Sequence, residues 1–355
     1  MAVSPSATSQ VMPVFQQSAE LSDYHLPGQL ASEQRFSGLT SATDIKLDFE
    51  QEGSIGTTSL STVEAVLDDL QLSQTATKSS PFIYGPQDSA RVPDASQSSG
   101  FRSFGSQVGA VKWEMAAIAA YYTAINGKKL FDDASSPHFH KEGWFGKSTS
   151  NVGIDKLAHA YSTYVISELI HARLRRKTES APNIEFTAAA LASAAMLYTE
   201  LWDSIERSAG WSWEDVTFNT LGAGFSILRN SVPKLDQKLD FRMMIVPNSK
   251  IFQAEGKGHF EQQRFFLALK PSGFEALKDG PLRFLELHLG YYGKDFSSED
   301  RAAGVRPKRR IFVGFGINLR ELLFKNSKGR AGRAAGEILD YFQPPYTAVR
   351  THITN

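Results

Sequence analysis

The chain has 355 residues, a formal net charge of zero and no cysteine. Its length allows about two domains, or one domain of ordinary size with long appendages. Neutrality gives no pointer to nucleic acid, and the cysteine count excludes disulfides, thiol catalysis, thiolate metal sites and a cysteine-linked lipid within these residues.

Charge is unevenly divided. Residues 1–110 hold 12 Asp and Glu against 5 Lys and Arg, so with equal totals the remainder carries an excess of 7 positive charges. An acidic leader on a basic body suggests weak contact between the two, or a body that faces an anionic surface. The start, MAVSPSATSQVMPVF, has no basic stretch followed by an apolar run, so no signal peptide is expected there. The most apolar helical stretch, Ile184 to Trp202, is broken by Glu185 and Glu200, which argues against a membrane-spanning helix.

Residues 1–108 are rich in Ser, Thr, Gln, Pro and Gly and poor in branched apolar residues. Such a segment buries too little apolar surface to offset chain entropy, and a largely disordered leader is expected. Within it Val63, Val66, Leu67 and Leu70 recur at helical spacing after Ser61, which predicts a short amphipathic helix able to dock on the body or a protein partner.

A first helix is expected from about Val108 to a stop at Gly127. The loop that follows carries His138, His140 and Trp144; a lone His-x-His in a loop is a weak metal signal, and a solvated loop is the simpler reading. A second helix starts at Asn151 or Gly153 and ends in the basic HARLRRK, where cations suit the negative end of the helix dipole. The third, FTAAALASAAMLYTELWDSI, is rich in small residues that let neighbouring helices approach closely. The fourth starts at Ser212 with Asp215 three residues on, near a capping box, and its Gly222 and Gly224 permit tight packing.

Polar residues sit at helical spacing inside these apolar helices. Asp155 and His159 share a face, as do Glu200 with Asp203 and Asp215 with Asn219. A buried carboxylate without a partner costs several kcal/mol, so such residues are normally paired, hydrogen-bonded or metal-bound. Asp155, Lys156, His159, Glu200, Asp203, Ser212, Asp215 and Asn219 are therefore expected to satisfy one another where three helices meet. On one reading the network fixes helix register, with His159 bonded to Asp155 or Glu200 and Asn219 bridging. On another it is a metal-assisted or general-base hydrolase acting on a lipid or cell-wall component: His159, Glu200 and Asp203 would ligate a divalent metal and Asp155 would orient His159. No phosphate loop, nucleophile motif or H-E-x-x-H pair is present.

After Gln237 the period changes to two. Leu285, Leu287, Leu289 and Tyr291 alternate with Phe284, Glu286 and His288, and Ile311, Val313, Phe315, Ile317 and Leu319 line one face. About four antiparallel strands are expected, too few to close a barrel, so their apolar face should pack on the helices, a partner or a membrane. GRAAGEILDYF predicts a short helix, and QPPYTAVRTHITN an extended tail. The expected class is thus α+β: a bundle of about four helices (109–232), then a small antiparallel β-rich region (233–355), behind the leader (1–108).

WFG, GIDKLAHAYSTY, ELWD and GWSWEDVTFNTLGAGFSIL, in this order, resemble the YfiM-type family of bacterial envelope lipoproteins, an uncharacterised domain. The skeleton D-K-x-x-H, E-x-x-[DQ], D-x-x-x-N-x-x-G is also similar to the membrane-embedded VanZ-like proteins. The resemblance covers Trp144 to Leu228 and implies a Gram-negative envelope location, in the periplasm or at the outer-membrane periphery. The first expectation for function is a non-catalytic structural, binding or assembly role in the envelope, with the hydrolase and a lipid-binding envelope subunit that uses the apolar sheet face as alternatives, and with an envelope protein or a lipid surface as partner. The family's lipoprotein cysteine has no counterpart here.

Overall fold

The computed structural model describes residues 98–132, 134–248 and 255–353. The amphipathic helix expected at Ser61 to Leu70, and nearly all of the expected leader, lie outside them. The fold is α+β: helices, then a five-stranded antiparallel sheet. Among the described residues no helix is long and apolar enough to cross a membrane.

The expected first helix is two, α1 (Phe104–Ala110) and α2 (Lys112–Asn126), divided at Val111, which closes one and opens the other. The bundle proper is α3 (Ile154–Lys177), α4 (Ile184–Ser204) and α5 (Trp213–Ser231). Gly153 precedes α3 at φ 88°, a conformation that costs a side-chain-bearing residue energy. Ser212 caps α5 by accepting from the Asp215 amide, half of the expected capping box. The small residues act as their spacing suggests at one site: a Cβ on Gly222 would lie 2.0 Å from the Ala160 carbonyl oxygen of α3, so only glycine allows that approach. Gly224 faces open space and has no such role.

Buried His171 of α3 illustrates how the core titrates. Burial, then Arg175 and Arg229, lowers its pKa from the ordinary 6.5 to about 4. Below pH 6.5 the unfolded chain takes up a proton that the native state refuses, so this contribution is intact at pH 7 and is lost as pH falls toward 4. Replacing His171 with Leu is expected to shrink the stability difference between pH 7 and pH 4.5 by about 2–3 kcal/mol, measured by urea unfolding at the two values.

The sheet runs β1 (Leu239–Ile245), β2 (Gln263–Leu269), β3 (Leu285–Lys294), β4 (Lys308–Ile317) and β5 (Ala348–His352), each antiparallel to its neighbour. The fifth strand falls in what reads from sequence as a tail, and α6 (Arg330–Ile338) is the short helix expected before it. The polar connection between β3 and β4 holds one helical turn, Ser298–Ala302, capped reciprocally by Ser297 and Asp300.

As expected of so few strands, no ladder joins β1 to β5, but the gap between them is bridged. The free edge of β1 bonds the segment leading to β5: the Met243 amide donates to Tyr341 O at 2.9 Å and the Gln343 amide to Met243 O at 3.0 Å. That segment turns back at once, Gln343 Nε2 donating to Thr347 Oγ1 at 2.6 Å and the Ile317 amide of β4 to Thr347 O at 3.0 Å. Across the enclosed space Arg350 of β5 reaches Met244 of β1. The sheet thus curls into a small barrel sealed by Tyr341 to Thr347. Small residues make the curvature possible: a Cβ on Gly316 would meet the His288 ring at 2.2 Å.

The polarity of this barrel is the reverse of the expected one. Its interior holds Asp240, Arg242, Glu286 and His288, all buried, beside Met244, Phe266 and Phe312. The apolar row beginning at Leu285 points outward. Helix α3 covers that outer face over β1, β2 and the Tyr291 end of β3; Tyr161 packs edge-on against Phe241 and tilted against Phe265.

Candidate functional site

Two polar clusters lie in this fold. The first sits where α3, α4 and α5 converge under the loop before α3. Lys156, buried to 1% exposure, is its hub: Nζ donates to Asp215 Oδ1 at 2.7 Å and to Glu142, and lies 3.1 Å from Asp155 Oδ2. Burial alone would lower the Lys156 pKa, but Asp155, Asp215 and Glu142 outweigh it and hold the ammonium charged. One helical turn on, His159 Nδ1 lies 3.3 Å from Asn219 Oδ1 and 3.4 Å from Glu200 Oε1, while Nε2 lies 3.7 Å from Asp215 Oδ1. Asn219 bridges, as expected, because Thr163 Oγ1 also donates to its Oδ1 at 3.0 Å.

Four carboxylates, Glu142, Asp155, Glu200 and Asp215, thus face one ammonium and one imidazole. The imbalance registers in their protonation. Burial, then the Asp215 and Asp203 charges, raise Glu200 to about 8. Burial and Asp215 raise Glu142 to about 7 against the opposing pull of Lys156. Glu200 Oε1 and Asn219 Nδ2, both buried in the cluster, have no hydrogen-bond partner among the described residues, a costly state for buried polar atoms.

Of the residues expected here, Asp155, Lys156, His159, Glu200, Asp215 and Asn219 come together. Ser212 joins through its backbone, whose N–H faces the Glu200 carboxylate, while its Oγ lies 3.4 Å from Glu214 and accepts from the Asp215 amide. Asp203 is turned away: Lys129, on the turn after α2, pairs with it and with Glu206. Periodicity places Asp203 one turn from Glu200, yet the cation that claims it comes from a distant part of the chain. Asp155 serves Lys156, with no contact to His159. Glu142, which joins the cluster from the loop, and Thr163, which fixes Asn219, carry no sequence signal beyond their residue types. His138 is tied into the fold through its own loop, its ring facing the backbone oxygens of Ser136 and Ala209.

The second cluster links the bundle to the barrel. Glu168 of α3 accepts from Arg229 of α5 at 2.8 Å; Arg229 also donates to Asp240 at 3.1 Å, and Lys270 to Asp240 at 2.8 Å. Arg242 then spans the barrel interior, donating to Asp240 at 2.6 Å, to both Glu286 oxygens at 2.8 and 2.9 Å and to Gln343 at 2.8 Å. Three acids balance three bases. Burial would raise Asp240, but Lys270, Arg242 and Arg229 hold it well below the usual carboxylate range.

The clusters differ in what they leave open. The second is charge-balanced, with each of those six ions paired. The first has surplus negative charge and one partly exposed member, His159.

Residues 141–231 match the model of a family described as a predicted periplasmic lipoprotein (DUF2279). The matched stretch contains every residue of the first cluster and ends before the barrel. That description agrees with the periplasm or outer-membrane periphery expected for this chain. No curated protein and no solved structure matches it.

Proposed function

We propose that this chain is a cell-envelope protein of binding type, whose helical bundle holds a divalent cation through His159, Glu200 and Asp215. The observation that carries this reading is the pairing of acceptors. When His159 Nδ1 donates to Asn219, its Nε2 lone pair faces Asp215 Oδ1 at 3.7 Å, so two acceptors meet with no proton between them. With Nδ1 engaged by Asn219, Nε2 is the nitrogen left for an ion, and its 3.7 Å to Asp215 Oδ1 is close to the about 3.4 Å between ligand atoms around a tetrahedral zinc. The three residues each offer an atom within 4.8 Å of the others. A second triplet, Glu142, Asp155 and Asp215, is equally close, but Lys156 already stands among its oxygens as a resident cation.

A non-catalytic role suits the hydroxyls at the site. Ser212 and Thr163 are committed to a cap and to Asn219, leaving neither poised as a nucleophile. One observation favours the hydrolase reading as an alternative: a Glu200 carboxyl raised to about 8 would be protonated at neutral pH and able to act as an acid beside a metal-bound water.

Metal titration by calorimetry, with elemental analysis of the purified chain, tests the proposal. One equivalent of zinc or manganese is expected, and His159→Ala or Glu200→Gln should weaken it more than about 100-fold, beyond what loss of a mere supporting residue costs. Asp203→Asn should leave affinity unchanged, because Lys129 already holds that carboxylate. Absence of binding to the wild type, with His159→Ala lowering Tm, would reduce the cluster to a device that fixes helix register.

A further inference from the structure

We propose that the outward face of β3, β4 and β5, with the basic segments at its two ends, is a docking surface for an anionic lipid bilayer. The apolar residues there form a continuous field. Leu267 is paired with Leu289 and Leu289 with Val313; Leu287 is paired with Phe315 and Phe315 with Val349; Leu285 lies opposite Ile317. Within it Leu289, Phe315 and Val349 are 51, 58 and 60% exposed. Single exposed apolar residues need no explanation, but a contiguous field spanning several strands does.

Charge complements this field. From Arg306 to Ala335 the chain carries nine Lys and Arg against one acid, Glu321, which pairs with Lys325, while Lys308 and Arg320 pair with Asp295 and Asp340 from outside that stretch. They are not spread evenly. Lys308, Arg309 and Arg310 open β4 at one end of the field, and Arg320, Lys325, Lys328, Arg330 and Arg333 follow its other end. Strand β4 has 10 residues, a length of about 33 Å. Cations beyond both ends of an apolar strand suit a barrel lying along the membrane interface, its outward side chains at the acyl boundary and the cations among the headgroups.

Two other occupants fit less well. The field lies on the outside of a curled sheet and so is convex, offering no groove in which a peptide's side chains could be specified, whereas lipid conforms to any contour. A second copy of the chain would meet the first through the same patch, and a two-fold contact of that kind would bring the two basic borders together. The surface is separate from the polar cluster of the bundle and does not depend on cation binding there.

Co-sedimentation of the full chain with phosphatidylcholine vesicles, with and without phosphatidylglycerol, tests the proposal. At low salt the anionic vesicles are expected to retain at least ~10-fold more protein than the neutral ones. The double substitution Leu289→Gln and Phe315→Gln, at exposed positions, should abolish most of that binding with little change in Tm. Should that variant unfold, Ile317→Thr with Val349→Thr removes apolar surface while keeping β-branched residues in the strands. Arg330→Gln with Arg333→Gln should weaken binding and flatten its salt dependence. Equal retention by neutral and anionic vesicles, or full binding by the folded apolar variants, would overturn the proposal. A dimer in light scattering that these variants convert to monomer, without vesicle binding by the wild type, would give the surface to a second copy and overturn it too.

Discussion

Truncating Arg242 to alanine is expected to lower the unfolding free energy by about 3–5 kcal/mol, the cost of leaving buried charges without their counter-ion. Arg242 makes charge-assisted bonds to Asp240 and to both oxygens of Glu286, and all three residues are inaccessible to solvent. Asp240 keeps Lys270 and Arg229 when the guanidinium is removed, but Glu286 then has only the neighbouring His288 ring, 3.3 Å away. Burial works against a charge on that imidazole and lowers its pKa, so it is a poor replacement. Pairing Arg242→Met with Glu286→Leu should therefore recover much of the loss, since two apolar side chains of similar volume remove both halves of the problem. Urea unfolding of the two single variants and the double gives the coupling directly. Additive losses would mean that the pair does not act as a unit.

How far the sequence discloses this molecule depends on the range of the interaction concerned. Helices α3, α4 and α5 are legible because their caps, apolar period and stops are local, and the facing of Asp215 with Asn219 follows from a four-residue step along one helix. Asp203 departs from the expected network because its partner, Lys129, lies 74 residues away. Alternation in β3 correctly separated Leu285, Leu287 and Leu289 from Glu286 and His288, but alternation does not say which set is inside. The usual assumption puts the leucines there. The barrel inverts it, because Arg242 and Glu286 satisfy each other once the sheet curls, and curling depends on contacts between Met243 and the Tyr341 to Gln343 segment, about a hundred residues apart. Two charged residues spaced by two within apolar strands, Asp240 with Arg242 and Glu286 with His288, were the available signal. Each alone reads as a solvated face; only the opposite charges of Arg242 and Glu286 hint that the two strands meet.

Replacing Lys156 with methionine should be the most damaging change in the helical cluster, and its cost should depend on pH in a defined sense. The ammonium is the only full cation among Glu142, Asp155 and Asp215, so its loss leaves carboxylates crowded in a largely buried space, at about 3–5 kcal/mol near pH 8. Glu142 and Glu200 already sit at about 7 and 8, above their ordinary 4.5. Between the ordinary and the raised values the native state holds protons that the unfolded chain has released, so stability falls as pH rises through that window. Lys156 restrains Glu142 from rising further; without it the fall should steepen. The variant should thus lie closer to the wild type at pH 5, where carboxyls can be neutral, than at pH 8. A divalent cation should return part of the stability at pH 8, because an ion bound in the native state takes over the neutralising role of the ammonium. Urea unfolding at both pH values, with chelator and with added zinc or manganese, measures each of these effects. Equal losses at pH 5 and pH 8, indifferent to metal, would show that the carboxylates do not crowd one another and would remove the electrostatic ground for a cation at His159, Glu200 and Asp215.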